Sequence, residues 1–223
     1  MELNLSPVEV RVLGALVEKE FTTPDSYPLS LNALTNACNQ KTSREPVMNL
    51  SESTVLEAVE TLARRGLLAQ RAGAGSRVPK YAHRLDNRLR EEENFSRVER
   101  AVLSTLMLRG PQTSGELRVR TTRLHEFDSG HELEQVLLSL ANRKESPCVL
   151  QLPRQPGQKE ARYVHLLGGE IDIAQLALLD SSSDQPVSDD TARIAELENR
   201  VHGLEQELAT LRAQLQTFIR QFD

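Results

Sequence analysis

Ser6-Pro-Val-Glu-Val-Arg-Val-Leu-Gly-Ala-Leu16 returns later in the chain as Ser96-Arg-Val-Glu-Arg-Ala-Val-Leu-Ser-Thr-Leu106, with six of eleven positions identical. Two more blocks follow in the same order. Val55 to Arg65 (VLEAVETLARR) lines up with Leu133 to Arg143 (LEQVLLSLANR), and Lys80-Tyr-Ala-His-Arg-Leu85 with Arg162-Tyr-Val-His-Leu-Leu167. Chance similarity rarely keeps its order over three blocks, at offsets of 90, 78 and 82. The chain therefore carries two copies of one unit.

Each copy opens on a capping box, Ser6 with Glu9 and Ser96 with Glu99, and Pro7 suits a first helical position. Val12, Leu13, Leu16 and Val17 fall at helical spacing, and Val102, Leu103, Leu106 and Met107 repeat the stripe. A second helix is expected around Leu29–Cys38 and, after the Thr113/Glu116 box, around Gly115–Leu124. A third is expected from Ser51 to Arg65, stopped by Gly66, and from Ser129 (boxed with Glu132) to Arg143. Leu67 to Arg71 and Val78 to Leu85 then read as a hairpin turning through Gly73 and Gly75, as do Cys148 to Leu152 and Ala161 to Leu167 around Pro153, Pro156 and Gly157. Tyr81, His83 and Leu85, like Tyr163, His165 and Leu167, share one face of the returning strand. Three helices and a terminal hairpin predict a mainly α fold with small β-hairpin wings (α+β): two tandem winged helix-turn-helix domains, residues 1–88 and 89–170.

Over residues 3–170 the sequence resembles the YceH-like family of bacterial proteins. The opening LSPVEVRVLGALVEKEFTTPDSYPLSLNALTNACNQKTSREPVMNLSE (5–52) is its specific part, supported by KYAHRL (80–85). The resemblance implies two winged-helix domains in a cytosolic protein, and brings no activity, catalytic residue or cofactor with it.

Residues 171–190 read as a helical turn and flexible linker, with Ser181 to Asp190 polar and broken by Pro186. In 191–223, Ile194, Leu197, Val201, Leu204, Leu208, Leu211, Leu215, Phe218 and Phe222 recur at strict 3,4 spacing, the seam of a coiled coil. Arg193 with Glu198, Arg200 with Glu205 and Glu207 with Arg212 would pair across a parallel partner, so a homodimer is expected. The alternative is a helix folded back on its own domains.

Charge divides unevenly. Residues 1–90 sum to +2, 91–170 to −1 and 171–223 to −6. A strongly basic domain would have indicated nucleic acid on its own, and neither copy is one. Double-stranded DNA remains an expected partner through the fold, because the third helix of a winged helix enters the major groove and the wing touches backbone. The candidate contacts are Lys41, Thr42, Ser43 and Arg44 ahead of the third helix, and Arg71, Arg77 and Lys80 on the wing. In the second copy they are Arg118, Arg120 and Arg123 on the second helix, and Arg154 and Lys159 on the wing. Against this, Glu52 and Glu57 in the first third helix, and Glu132 and Glu134 in the second, repel phosphate. The alternative partner is another protein docking on the same surfaces.

No nucleophile elbow, Walker loop, zinc motif or Cys-x-x-Cys is present, so no enzyme and no cofactor are expected. Cys38 and Cys148 sit in apolar runs and read as buried, inert thiols. The N-terminus has no signal-peptide pattern and no run approaches 18 apolar residues, so a cytoplasmic protein without membrane contact is expected.

Overall fold

Ser6 starts the first helix as its spacing predicts: its hydroxyl accepts from the Glu9 amide at 3.2 Å, while Glu9 accepts from the Ser6 amide at 2.7 Å. In the computed structural model, residues 3–72, 78–86, 94–143, 146–154 and 160–169 are described. They fall in one compact unit, residues 1–171; the second unit, 172–223, lies outside the described residues, and with it the expected seam from Ile194 to Phe222.

The first copy runs α1 (Pro7–Thr22), a 3-10 turn (Pro24–Ser26), β1 (Leu29–Ser30), α2 (Leu31–Cys38), α3 (Glu52–Arg64), β2 (Leu68–Ala72) and β3 (Pro79–His83). The second runs α4 (Arg97–Arg109), β4 (Gln112–Thr113), α5 (Ser114–Thr121), α6 (Gly130–Ala141), β5 (Val149–Gln151) and β6 (Arg162–His165). The fold is thus mixed α+β, with two small antiparallel sheets ordered β1-β3-β2 and β4-β6-β5. The hairpins expected from sequence are present. The strands β1 and β4, two residues each, were not expected; they add a third strand at equivalent register, Leu29 opposite Tyr81 and Gln112 opposite Tyr163.

Helix ends follow their capping chemistry. Gly66 takes φ 71°, and the amides of Gly66 and Leu67 reach Ala63 O and Leu62 O at 3.0 and 2.9 Å, closing α3 in a Schellman turn with Leu62 and Leu67 both fully buried. The box expected at Ser129 is only half made. Ser129 accepts from the Glu132 amide, but the Glu132 carboxylate accepts from the Asp128 amide and pairs with His125 instead of returning to Ser129.

The two copies share one contiguous core, joined where α1 lies on α4. Val12, Leu13, Leu16, Val102, Leu103 and Leu106 are all fully buried there. Gly14 and Ser104 are equivalent positions of the repeat, and they meet: Ser104 Oγ donates to Gly14 O at 3.1 Å. A Cβ on Gly14 would sit 3.0 Å from Met107 Cβ and 3.1 Å from Leu108, so a glycine in mid-helix, worth about 1 kcal/mol against alanine, is what lets the helices approach. The copies also exchange backbone bonds reciprocally. Leu5 N donates to Leu167 O at 2.9 Å and Phe95 N to Leu85 O at 2.7 Å, so each lead-in pairs with the exit of the other copy's hairpin. Like-on-like contact of this kind is what a two-fold axis between the copies produces.

Candidate nucleic-acid interface

The loop between α2 and α3 holds the first candidate group, and two buried arginines fix it. Arg11, 1% exposed on α1, donates to Cys38 O at 3.1 Å and Pro46 O at 2.6 Å. Arg44 grips Glu18 with two nitrogens, at 3.1 and 2.6 Å, and also donates to Ala37 O. Asn39 closes the loop, its amide bonding both ways with the Leu50 backbone at 2.8 Å. Arg44 is therefore not a nucleic-acid contact as expected from sequence: its side chain is fully enclosed and its charge is spent on Glu18. The sequence placed a cation correctly in the loop but could not reveal that α1 presents a carboxylate beneath it.

The other members of that group face outward. Lys41 and Thr42 are exposed, and neither has an ion-pair or side-chain partner among the described residues. Ser43 sits at φ 60°, the left-handed region that ordinary residues rarely enter, and accepts from Arg109 Nη2 at 2.5 Å.

This last bond joins the copies. Arg109 ends α4, and beside it α5 brings Arg118 and Arg120, with Arg123 just beyond its end. Two adjoining recesses of about 250 and 270 Å³ share Glu18, Thr22, Ser43 and Arg123 in their walls; Lys41 lines one, Arg109 and Arg120 the other. The first-copy loop and the second-copy helix, 70-odd residues apart in sequence, thus form one groove. Its positive charge is largely unneutralised. Arg118 and Arg123 are exposed with no carboxylate within 4.0 Å among the described residues. Arg120 pairs with Glu116 at 3.3 Å and donates to Gln112. Glu18, the one carboxylate among the described residues that line the groove, is held by Arg44. Partial burial, then the neighbouring Arg120 charge, lowers the Arg109 pKa below the ordinary arginine value. Cations crowded in this way are stabilised by an anion.

On the first hairpin Arg71 and Lys80 stand directly opposite each other across β2 and β3, Arg71 exposed and Lys80 half-buried. Like charges paired across strands repel, which again favours a bound anion. Arg154 is exposed after β5. Arg77 and Lys159 lie outside the described residues. The exposed side of α3 carries Glu52, Glu57 and Glu60, and α6 exposes His131 and Glu134, so the acidity foreseen in the third helices does face solvent.

Reactive chemistry is sparse. Cys38 and Cys148 are buried, and burial pushes the Cys38 thiol up to about 12, leaving almost no thiolate at neutral pH. Among the described residues, no group of three or more His, Cys, Asp or Glu could hold a metal, and no helix is long and apolar enough to cross a membrane.

A family model described as "Protein of unknown function, DUF480" matches residues 5–158, well over half of the chain. The chain belongs to the DUF480 family. A UPF0502 protein of Vibrio vulnificus (strain CMCP6) is 50% identical over 215 residues, covering 96% of this chain and 97% of its own length. UPF0502 proteins of Aeromonas hydrophila subsp. hydrophila and Serratia proteamaculans (strain 568) are 48% and 47% identical over 216 and 219 residues, 97% and 98% of this chain and 95% and 97% of their own lengths. These relatives span both copies and most of the tail, in keeping with the YceH-like resemblance. Every described member of the groove, from Glu18 to Arg123, falls inside the DUF480 match, whereas β6 lies beyond it.

Proposed function

We propose that this DUF480 protein is a non-enzymatic tandem winged-helix protein that binds double-stranded DNA by its phosphate backbone, seated in the groove between the copies. The helix–strand–helix–helix–hairpin order of each copy fits a winged helix. The observation carrying the proposal is the convergence of Lys41, Arg109, Arg120 and Arg123 from both copies on one groove, where Glu18, the only lining carboxylate among the described residues, is already paired. Arg118 on α5, and Arg71 and the half-buried Lys80 on the first hairpin, are further cations. The exposed carboxylates of α3 place base reading second to backbone contact, so binding is of low sequence specificity. The seam from Ile194 to Phe222 would pair two chains and double the contact.

A mobility-shift titration on mixed genomic fragments tests this. Four phosphate contacts predict roughly a hundredfold loss of affinity between about 50 and 200 mM salt. Changing Arg118, Arg120 and Arg123 together to Ala should lower the logarithmic salt slope by about 2–3. Absence of any shift at the lower salt would remove DNA as the partner. A specific observation then favours protein docking: Glu52, Glu57 and Glu60 form an exposed acidic face on α3.

A further inference from the structure

The groove contains a recess whose shape and chemistry differ from an open track for a duplex. Its floor is where α1 crosses α4, and besides the Glu18 carboxylate, which Arg44 neutralises, its walls carry three kinds of group. Arg109 and Arg120 provide charge, Ser43 a hydroxyl, and Leu108, Val119 and Leu124 an apolar side. The other hydroxyls on the floor are already committed: Ser104 donates to Gly14 O and Thr105 to Ala101 O. Arg109 uses one guanidinium nitrogen on Ser43 and has no carboxylate within 4.0 Å among the described residues, so most of its donors face the recess unclaimed. Ser43 accepts that bond and keeps its own O–H to give. Its left-handed φ of 60° is the kind of backbone strain that persists where surrounding contacts hold a residue in a set position.

Size decides the class of ligand. At about 250 Å³ the recess is below the roughly 300 Å³ at which pockets begin to enclose drug-sized molecules. It admits an anionic head group and a small organic substituent, and excludes a base pair. The apolar wall is unusual for a pure ion site: Val119 is 75% exposed, an aliphatic side chain held in water at the rim. A substituent attached to the anion would cover it.

We propose that this recess binds a small phosphate monoester, with Arg109, Arg120 and Ser43 on the phosphate and Leu108, Val119 and Leu124 on the organic group. The phosphate oxygens accept from both guanidinium groups and from the serine hydroxyl, which suits a dianion better than a carboxylate with its two oxygens. This proposal shares Arg109 and Arg120 with the DNA reading but stands without it, since it needs neither Lys41 nor the exposed Arg118.

Isothermal titration of the full chain with phenyl phosphate and with inorganic phosphate, at constant ionic strength, tests it. One saturable site per chain is expected, with phenyl phosphate about five- to tenfold tighter through burial of its ring. Arg109→Gln should weaken both by at least about tenfold, the loss of a charge-assisted contact. Val119→Asp, at a position too exposed to disturb folding, should abolish binding by setting a carboxylate at the rim. Arg64→Gln, on the far helix α3, should bind as wild type. No saturable heat with either probe would overturn the proposal, as would wild-type binding by Arg109→Gln or by Val119→Asp. A salt-sensitive DNA shift that survives in Arg109→Gln while phosphate binding is lost would separate the two sites.

Discussion

His83 on β3 and His165 on β6 hold equivalent places in the two copies, yet their surroundings share little. His83 Nδ1 accepts from the Leu85 amide at 3.2 Å, so Nε2 carries the proton and donates to Glu20 at 3.0 Å. Arg100, from the second copy, reaches Glu20 at 3.5 Å and Asp86 at 3.0 Å, and Arg97 stacks 4.5 Å over Phe21. His165 has none of this, and its enclosed Nδ1 has no partner among the described residues. The difference arises from length and not from changes at the histidine. α1 runs 16 residues and α4 only 13, so at the repeat offset Glu20 and Phe21 correspond to Gly110 and Pro111. One additional helical turn supplies Glu20, which together with Asp86 beyond β3 turns a packing histidine into part of a network tying the copies together. Glu18 lies ahead of that turn, where the counterpart within α4 is Leu108, so here the copies differ by side chain and not by length.

The largest effect expected from breaking this asymmetry is at Arg44, which has no counterpart because the first copy is longer between its second and third helices. Arg44→Met leaves Glu18, its side chain 15% exposed, with only the longer 3.8 Å ion pair to Lys19, and removal of the main partner from such a pair costs about 3 kcal/mol. Urea unfolding measures it, and Glu18→Leu added to Arg44→Met should recover at least half, since an apolar pair replaces an orphaned charge. A variant as stable as wild type would mean that the loop is held by Arg11 and Asn39 alone.

Next in size is the meeting of equivalent positions at the crossing of α1 and α4. Gly14→Val forces a side chain into the 3.0 Å approach to Met107 and should cost about 2–3 kcal/mol. The reciprocal change, Ser104→Ala, removes one buried hydrogen bond and should cost only about 1 kcal/mol. Equal costs would show that close approach is not what selects glycine on one side of the axis and serine on the other.

Much of the architecture was legible because it depends on local signals. The repeat, the caps at Ser6, Ser96 and Thr113, the Gly66 stop and the hairpins all follow from side chains within a few positions of one another. The strands β1 and β4 were not legible, since two residues carry no periodicity and their pairing is set by β3 and β6 far along the chain. The contact between the copies was also hidden. Nothing local to Gly14 indicates that Ser104 and Met107 lie against it. For the candidate site, the sequence named the cations, and the structure buries one of them. Arg44 and Lys41 are three residues apart in the same loop, and only the position of Glu18 separates a buried clamp from an exposed contact.

The smallest predicted effect returns to the histidines and is one of acidity. Burial lowers the His165 pKa to about 4, against an ordinary value of 6.5. Above pH ~6.5 the ring is neutral in both folded and unfolded chains, and its titration leaves stability unchanged. Below that, the unfolded chain takes up a proton that the folded chain refuses until about pH 4, so stability falls through this window as pH falls. The residue is only partly buried, which screens the effect to about 1–2 kcal/mol. Glu20 behaves in the opposite ionic sense: its bond to His83 lowers its pKa, so its contribution is present above the ordinary carboxylate range and is lost at still lower pH. Urea midpoints at several pH values between about 2.5 and 7 resolve the two. His165→Gln should flatten the upper part of the curve and leave the lower part. If His83→Gln flattens the upper part instead, the first copy's network, and not the second copy's unpartnered ring, governs acid sensitivity.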